Sequence, residues 1–219
     1  MTRLAPLAPW YERFPGRIAG SVYAVAPADR AAIAGEMADV GLDVHVDVMA
    51  ESEGLPTGVS VAELSAIAQT VDRTRPDAGV DVHLIGSPDF VDATLGAVLE
   101  HRPSKVFLPW AAFTEHRARS IRAAGGSAWI ALWKEWNGFG PARWPATPDG
   151  VLVMLIEPGT TDRCRLDRLG IVTACVPHLP VIVDGGVTED IAPLCITAGA
   201  ESLVVGRALL PAPAKGNTP

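Results

Sequence analysis

At 219 residues the chain is long for one small domain and sits at the lower end of single-domain α/β barrels. A hydrophobic content of 48% can fill a sizeable core, and a net charge of −7 argues against nucleic acid as a partner. Cys164, Cys175 and Cys195 are odd in number and lack metal-type spacing, no signal-peptide pattern opens the chain, and no run of about 18 apolar residues could span a bilayer. A reduced, soluble, cytoplasmic protein without membrane attachment is expected.

Residues 1–16, with Pro6, Pro9 and Pro15, read as an irregular leader. RIAGSVYAV (17–25) is a first strand, and a helix over 26–41 follows, ended by Gly41. LDVHVDVM (42–49) is the second strand. After a loop around Gly54 to Gly58, a helix starts from Ser60, whose hydroxyl forms a capping box with Glu63. GVDVHLI (79–85) is the third strand, and the helix over 87–101 opens with a Ser87 cap and Pro88 at its first position. KVFLPW (105–110), a helix over 111–126 and SAWIALW (127–133) come next. Pro141, Pro145 and Pro148 then exclude a long helix before the sixth strand. GVLVMLIEPG (150–159), LPVIVDGG (179–186) and ESLVVGRA (201–208) complete eight strands. One short helical turn is expected after Gly206, and a flexible tail over 211–219.

Apolar strands alternating with helices imply parallel pairing with helices on the outer face. Eight such units predict a closed (β/α)₈ TIM barrel over 17–210, with shortened helical elements after strand five and at the C-terminus. The leader's Trp10, Tyr11 and Phe14 are expected to cover surface left bare there.

Polar residues interrupt these apolar strands at particular places. His45 and Asp47 lie two apart and so project from one face of their strand. His83 sits in the third strand, and Asp184 closes the seventh. A lone strand histidine is usually an ordinary hydrogen-bonded residue, but unpaired charge is costly to bury. Two imidazoles and two carboxylates make a compact site for a divalent cation if the fold brings the strands together. His101, His116 and His178 fall in helices or connections and read as surface residues.

The segments IAGSVYA, VHVDVM, VDVHL, VLVMLIEPG, VIVDGGV and AGAESLVVGRAL follow one another in an order and spacing that resembles the ribulose-phosphate 3-epimerase family. The resemblance covers about residues 17 to 210. It implies that His45, Asp47, His83 and Asp184 hold one divalent metal ion (Zn, Fe, Mn or Co), and that Asp47 and Asp184 are the two acid/base residues on opposite faces of the substrate. It further implies substrate or phosphate contacts from Ser21, Met49, Met154, Gly185, Gly186, Gly206 and Arg207. As buried thioethers the methionines equally suit plain core filling, and the glycines equally suit tight turns. The implied reaction is epimerisation of a ketose phosphate, by default D-ribulose 5-phosphate to D-xylulose 5-phosphate. It removes a proton next to the ketone, passes through an enediolate and returns a proton to the other face.

Several positions depart from the family pattern. Ala50 stands where the family has an aspartate, Ala24 where a second serine is usual, and Arg207 where a serine is usual. Leu108, Pro109 and Trp110 replace a histidine-containing segment, Trp133 and Lys134 replace Asn-Pro, and Thr160, Thr161, Asp162 and Arg163 replace a glycine-rich loop. With the reaction centre intact, these changes leave open an epimerase or isomerase of another sugar or sugar phosphate, such as a six-carbon ketose, and a non-catalytic metabolite-binding relative. A homo-oligomer, dimer or higher, acting on a small sugar phosphate is expected.

Overall fold

The computed structural model describes residues 7–160 and 162–210; the tail over 211–219 and Thr161 lie outside the described residues. Eight strands, β1 (Ile18–Ser21), β2 (Asp43–Met49), β3 (Val80–Ile85), β4 (Lys105–Pro109), β5 (Ser127–Leu132), β6 (Gly150–Met154), β7 (Val181–Asp184) and β8 (Ser202–Val205), pair in parallel and close as a barrel in sequence order. The helices are α1 (Arg30–Asp39), α2 (Val61–Thr74), α3 (Pro88–Leu99), α4 (Glu115–Ala123), α5 (Leu169–Cys175) and α6 (Ala192–Thr197). This is a TIM barrel, as the alternating pattern implied. No helix among the described residues is long and apolar enough to cross a membrane.

The period-2 alternation decides what faces where. In β2, Val44, Val46 and Val48 belong to the apolar layer shared with the helices, while His45, Asp47 and Met49 fall on the other, inward face. A second core fills the barrel itself and is built from Phe107, Trp129, Leu152, Met154, Ile182 and Val204. Trp129 pairs in register with Gly150 on β6, and a Cβ at Gly150 would run into its six-membered ring. Gly150→Ala is therefore expected to cost about 1–3 kcal/mol of stability through overpacking, read as a lowered denaturation midpoint. A midpoint equal to wild type would mean that the Trp129 ring yields at no cost.

The local signals for helices work as expected. Ser60 and Glu63 form the reciprocal capping box, Ser87 caps α3, and Gly41 ends the first helical unit with φ +87°. Some boundaries differ. β1 stops at Ser21 rather than Val25, because the Ser21 hydroxyl accepts the Tyr23 N–H and Val25 N–H turns back to the Val22 carbonyl. The helix expected from residue 111 begins as a 3₁₀ turn, and α4 starts only after the Thr114 cap. β6 ends at Met154, short of Gly159. The segment after β5 holds no helix; its Trp136 and Trp144 pack together with Trp110 instead.

The leader, read as irregular, carries a 3₁₀ turn over Pro9–Arg13. Trp10 is buried there and donates its indole N–H to the Ala208 carbonyl, against the short hydrogen-bonded turns that follow Gly206. Below the barrel mouth, Lys105 spans Asp43 and the buried Asp81, which lets a charge sit inside the barrel floor.

Candidate active site

Five strand ends carry the site. Parallel pairing sets Asp47 beside His83 and Ser21 beside His45, while Met154 lies opposite Asp184. A closed ring then brings β2 and β7 to the same mouth. One donor atom each from His45, Asp47, His83 and Asp184 lies within 4.8 Å of every other. The expected quartet is thus brought together, from three strands far apart in sequence.

The immediate contacts are short. His45 Nε2 lies 3.3 Å from Asp47 Oδ1 in hydrogen-bond geometry. His83 Nδ1 is also 3.3 Å from that oxygen, and the Ser21 hydroxyl donates to Asp47 Oδ2 at 3.2 Å. Both imidazoles are almost fully buried and stand on Phe107, whose ring centroid is 5.4 Å from His45 and 6.1 Å from His83. Ser21, expected at the substrate, is thus first of all a partner of Asp47.

Charge is uneven across the cluster. Burial drives the Asp47 carboxyl upward, but the His45 ring beside it and the nearby His83 ring overcome this and hold it well below the usual carboxylate range. Asp184 is pushed up to about 6, by burial first and by the Asp47 charge second. Burial disfavours the charged form of His45, yet Asp47, Asp184 and Asp81 together raise its pKa. Burial and the charges around them thus push the two carboxyl groups in opposite directions.

The donor set also suits a metal. His45 Nδ1 is buried without a hydrogen-bond partner, and His83 Nδ1 has only its 3.3 Å contact to Asp47 Oδ1 outside hydrogen-bond geometry, which is costly unless something else satisfies them. Mixed imidazole and carboxylate donors suit Zn²⁺, Fe²⁺, Mn²⁺ or Co²⁺. Such ions hold these donors at about 2.0–2.2 Å, which requires the donor atoms to lie close together, and here all four are within 4.8 Å of one another. His45, Asp47, His83 and Asp184 could therefore hold a metal ion.

Beside the cluster a cavity of about 780 Å³ is lined by Ser21, Asp47, Asp184, Gly186, Gly206 and Arg207. Gly185 and Gly186 adopt φ of +116° and +67°, so the turn after Asp184 needs glycine for its conformation alone. Gly206 has no such need, and a Cβ there would meet Ser21 and Ala24 only in ordinary van der Waals contact. Met154 is buried in the barrel interior, and Met49 is also buried, though it lines neither this cavity nor the smaller cleft beside it.

The sequence left two further parts of the site without an assigned role. Arg163, from the stretch replacing the glycine-rich loop, and Cys164 just after it line the large cavity. Arg168 is buried and donates to the carbonyls of Met154 and Leu132, tying β5 and β6 together at the mouth. A lone arginine in a polar loop carries no sequence signal for either placement.

Solved structures with the same architecture include phosphoribosyl anthranilate isomerase from Thermus thermophilus, 16% identical over 90% of both chains with a TM-score of 0.60. Orotidine 5'-phosphate decarboxylase from Pyrococcus horikoshii OT3 is 17% identical over 90% of this chain and 92% of that one, with a TM-score of 0.57. Likeness at this identity shows the fold alone. No curated protein matches the chain in sequence. The family model described as the Ribulose-phosphate 3 epimerase family matches residues 17–210, which include every strand, the histidine–aspartate cluster and the glycines of the mouth, and the chain belongs to that family.

Proposed function

We propose that the protein is a metal-dependent epimerase of a ketose phosphate, with D-ribulose 5-phosphate to D-xylulose 5-phosphate as the reaction to test first. The observation that carries this reading is the convergence of His45, Asp47, His83 and Asp184, with Asp47 and Asp184 on the wall of a ligand-sized cavity. Asp47 and Asp184 stand on β2 and β7, separated around the ring by β1 and β8, so their carboxylates meet a bound molecule from different sides. One removes the proton from the carbon next to the ketone, and the other returns a proton to the opposite face. The resulting enediolate is planar at that carbon, which allows inversion. A divalent cation held by His45, Asp47, His83 and Asp184 would supply positive charge for the oxygens that become negative. Ser21 keeps Asp47 oriented through its hydroxyl, and the buried rings of His45 and His83 each lie 3.3 Å from the same carboxylate.

Gly185, Gly186, Gly206 and Arg207 are read as the anion end, where backbone N–H groups and a guanidinium meet a phosphate. Arg163, on the loop after β6, faces the same cavity and adds a second positive charge. The test is uptake of solvent deuterium at the carbon next to the ketone, run with metal analysis over a panel of ketose phosphates. Uptake with none of them in metal-loaded protein would refute the reading. Arg207→Ala is expected to raise the KM for a phosphorylated sugar by roughly tenfold or more, the worth of a charged hydrogen bond. Equal turnover of phosphorylated and free sugars would remove the phosphate assignment.

A further inference from the structure

A second, smaller cleft opens on the other arc of the mouth. It measures about 160 Å³ and is walled by Pro109, Trp110, Trp133, Met154 and Pro158, with the buried His83 and the exposed Glu135 also on its lining. Asp47 and Asp184 line the large cavity and His83 lines this one, so the quartet is the border between them. Whole small-molecule pockets begin at roughly 300 Å³, so the cleft suits part of a ligand rather than a separate one. An apolar cavity of about 150 Å³ takes one benzene ring.

The walls are held in place. Arg168 stacks on the Trp133 ring, its guanidinium carbon 4.4 Å from the centroid, while donating to the ends of β5 and β6. The Trp133 backbone N–H donates to the Glu135 carboxylate at 2.8 Å. Trp110 is braced by Trp144, with ring centroids 5.3 Å apart. Two fixed indoles beside a reaction centre do nothing for the terminal hydroxymethyl group of a simple pentulose phosphate. They suit a flat, apolar surface.

We infer that this cleft is a substrate subsite for a planar, apolar group of about one aromatic ring, carried on the end of the substrate opposite its anion. The inference rests on reading the quartet as the reaction centre and Gly186, Gly206 and Arg207 as the anion end. With the ketone at the quartet, the group hangs on carbon 1. The substrate class is then a ketose phosphate substituted at that carbon.

Two probes test this on the full chain with divalent cation present: D-ribulose 5-phosphate and 1-anilino-1-deoxy-D-ribulose 5-phosphate. Binding is measured by calorimetry, separately from deuterium exchange. The anilino compound is expected to bind at least about tenfold more tightly. Trp133→Ala is expected to shrink that ratio below about threefold, and Trp133→Phe to keep most of it. The ratio is taken on one sample, so a poorly folded variant weakens both probes together, and the wild-type ratio with the phenylalanine variant then decides. Equal wild-type affinities, or a preference that survives Trp133→Ala, would overturn the subsite. Ring preference without exchange on either compound would sink the epimerase reading and leave the subsite standing. Exchange without ring preference does the reverse.

Discussion

Asp184→Asn is expected to lower epimerisation by roughly 10²–10⁴-fold, the usual contribution of a positioned acid/base group. Asparagine keeps the shape of the side chain at the end of β7, yet it cannot accept and return a proton. Asp47→Asn is expected to act similarly, and the double variant to cost little more than either alone, because one reaction needs both protons. Both side chains also belong to the candidate metal cluster, so activity by itself is ambiguous. The decisive measurement is made on variants shown to retain metal. There Asp184→Asn is expected to exchange a proton on one face through Asp47 while failing to invert the centre. Inversion at the wild-type rate in that variant would end the two-carboxylate mechanism and require another proton donor at the mouth.

The second large effect concerns the metal. Purified protein is expected to hold one divalent ion per chain, and His83→Ala to lose most of it while keeping its far-ultraviolet circular dichroism. Removal of an outer partner of a metal ligand already costs about 10–100-fold in affinity, and removal of a ligand costs more. An independent readout is thermal stability. An ion at a hundred times its Kd stabilises the folded chain by about 2.7 kcal/mol, or about 5–10 °C in Tm at this chain length. Chelation is expected to erase that gain in wild type and to change nothing in His83→Ala. Full metal content in the variant would take His83 out of the ligand set.

Much of this was legible before any coordinates, for a physical reason. Strands buried on both faces must be apolar throughout, so His45, Asp47, His83 and Asp184 stand out against runs of valine, isoleucine and leucine. Capping at Ser60 and Ser87 is a short-range matter of a hydroxyl and the first free N–H groups, and a sequence window contains all of it. The proline-rich segment after β5 could not be helical wherever it went. Such features depend on neighbours along the chain.

What depends on neighbours in space came only from the tertiary structure. That Asp47 stands beside His83, and Met154 beside Asp184, is a matter of strand register, and a slip of one residue would have turned each side chain to the helical layer. The end of β1 at Ser21 follows from the turn its hydroxyl helps to close. Arg168 reads in sequence as one more charged residue in a polar loop, but the closed barrel buries it under Trp133 and fixes that ring at the mouth. Sequence alone determined the alternating pattern, the helix starts and the chemical types available. Closure of the ring decided which of those groups meet, because contacts between distant segments are set by the packing of the whole chain.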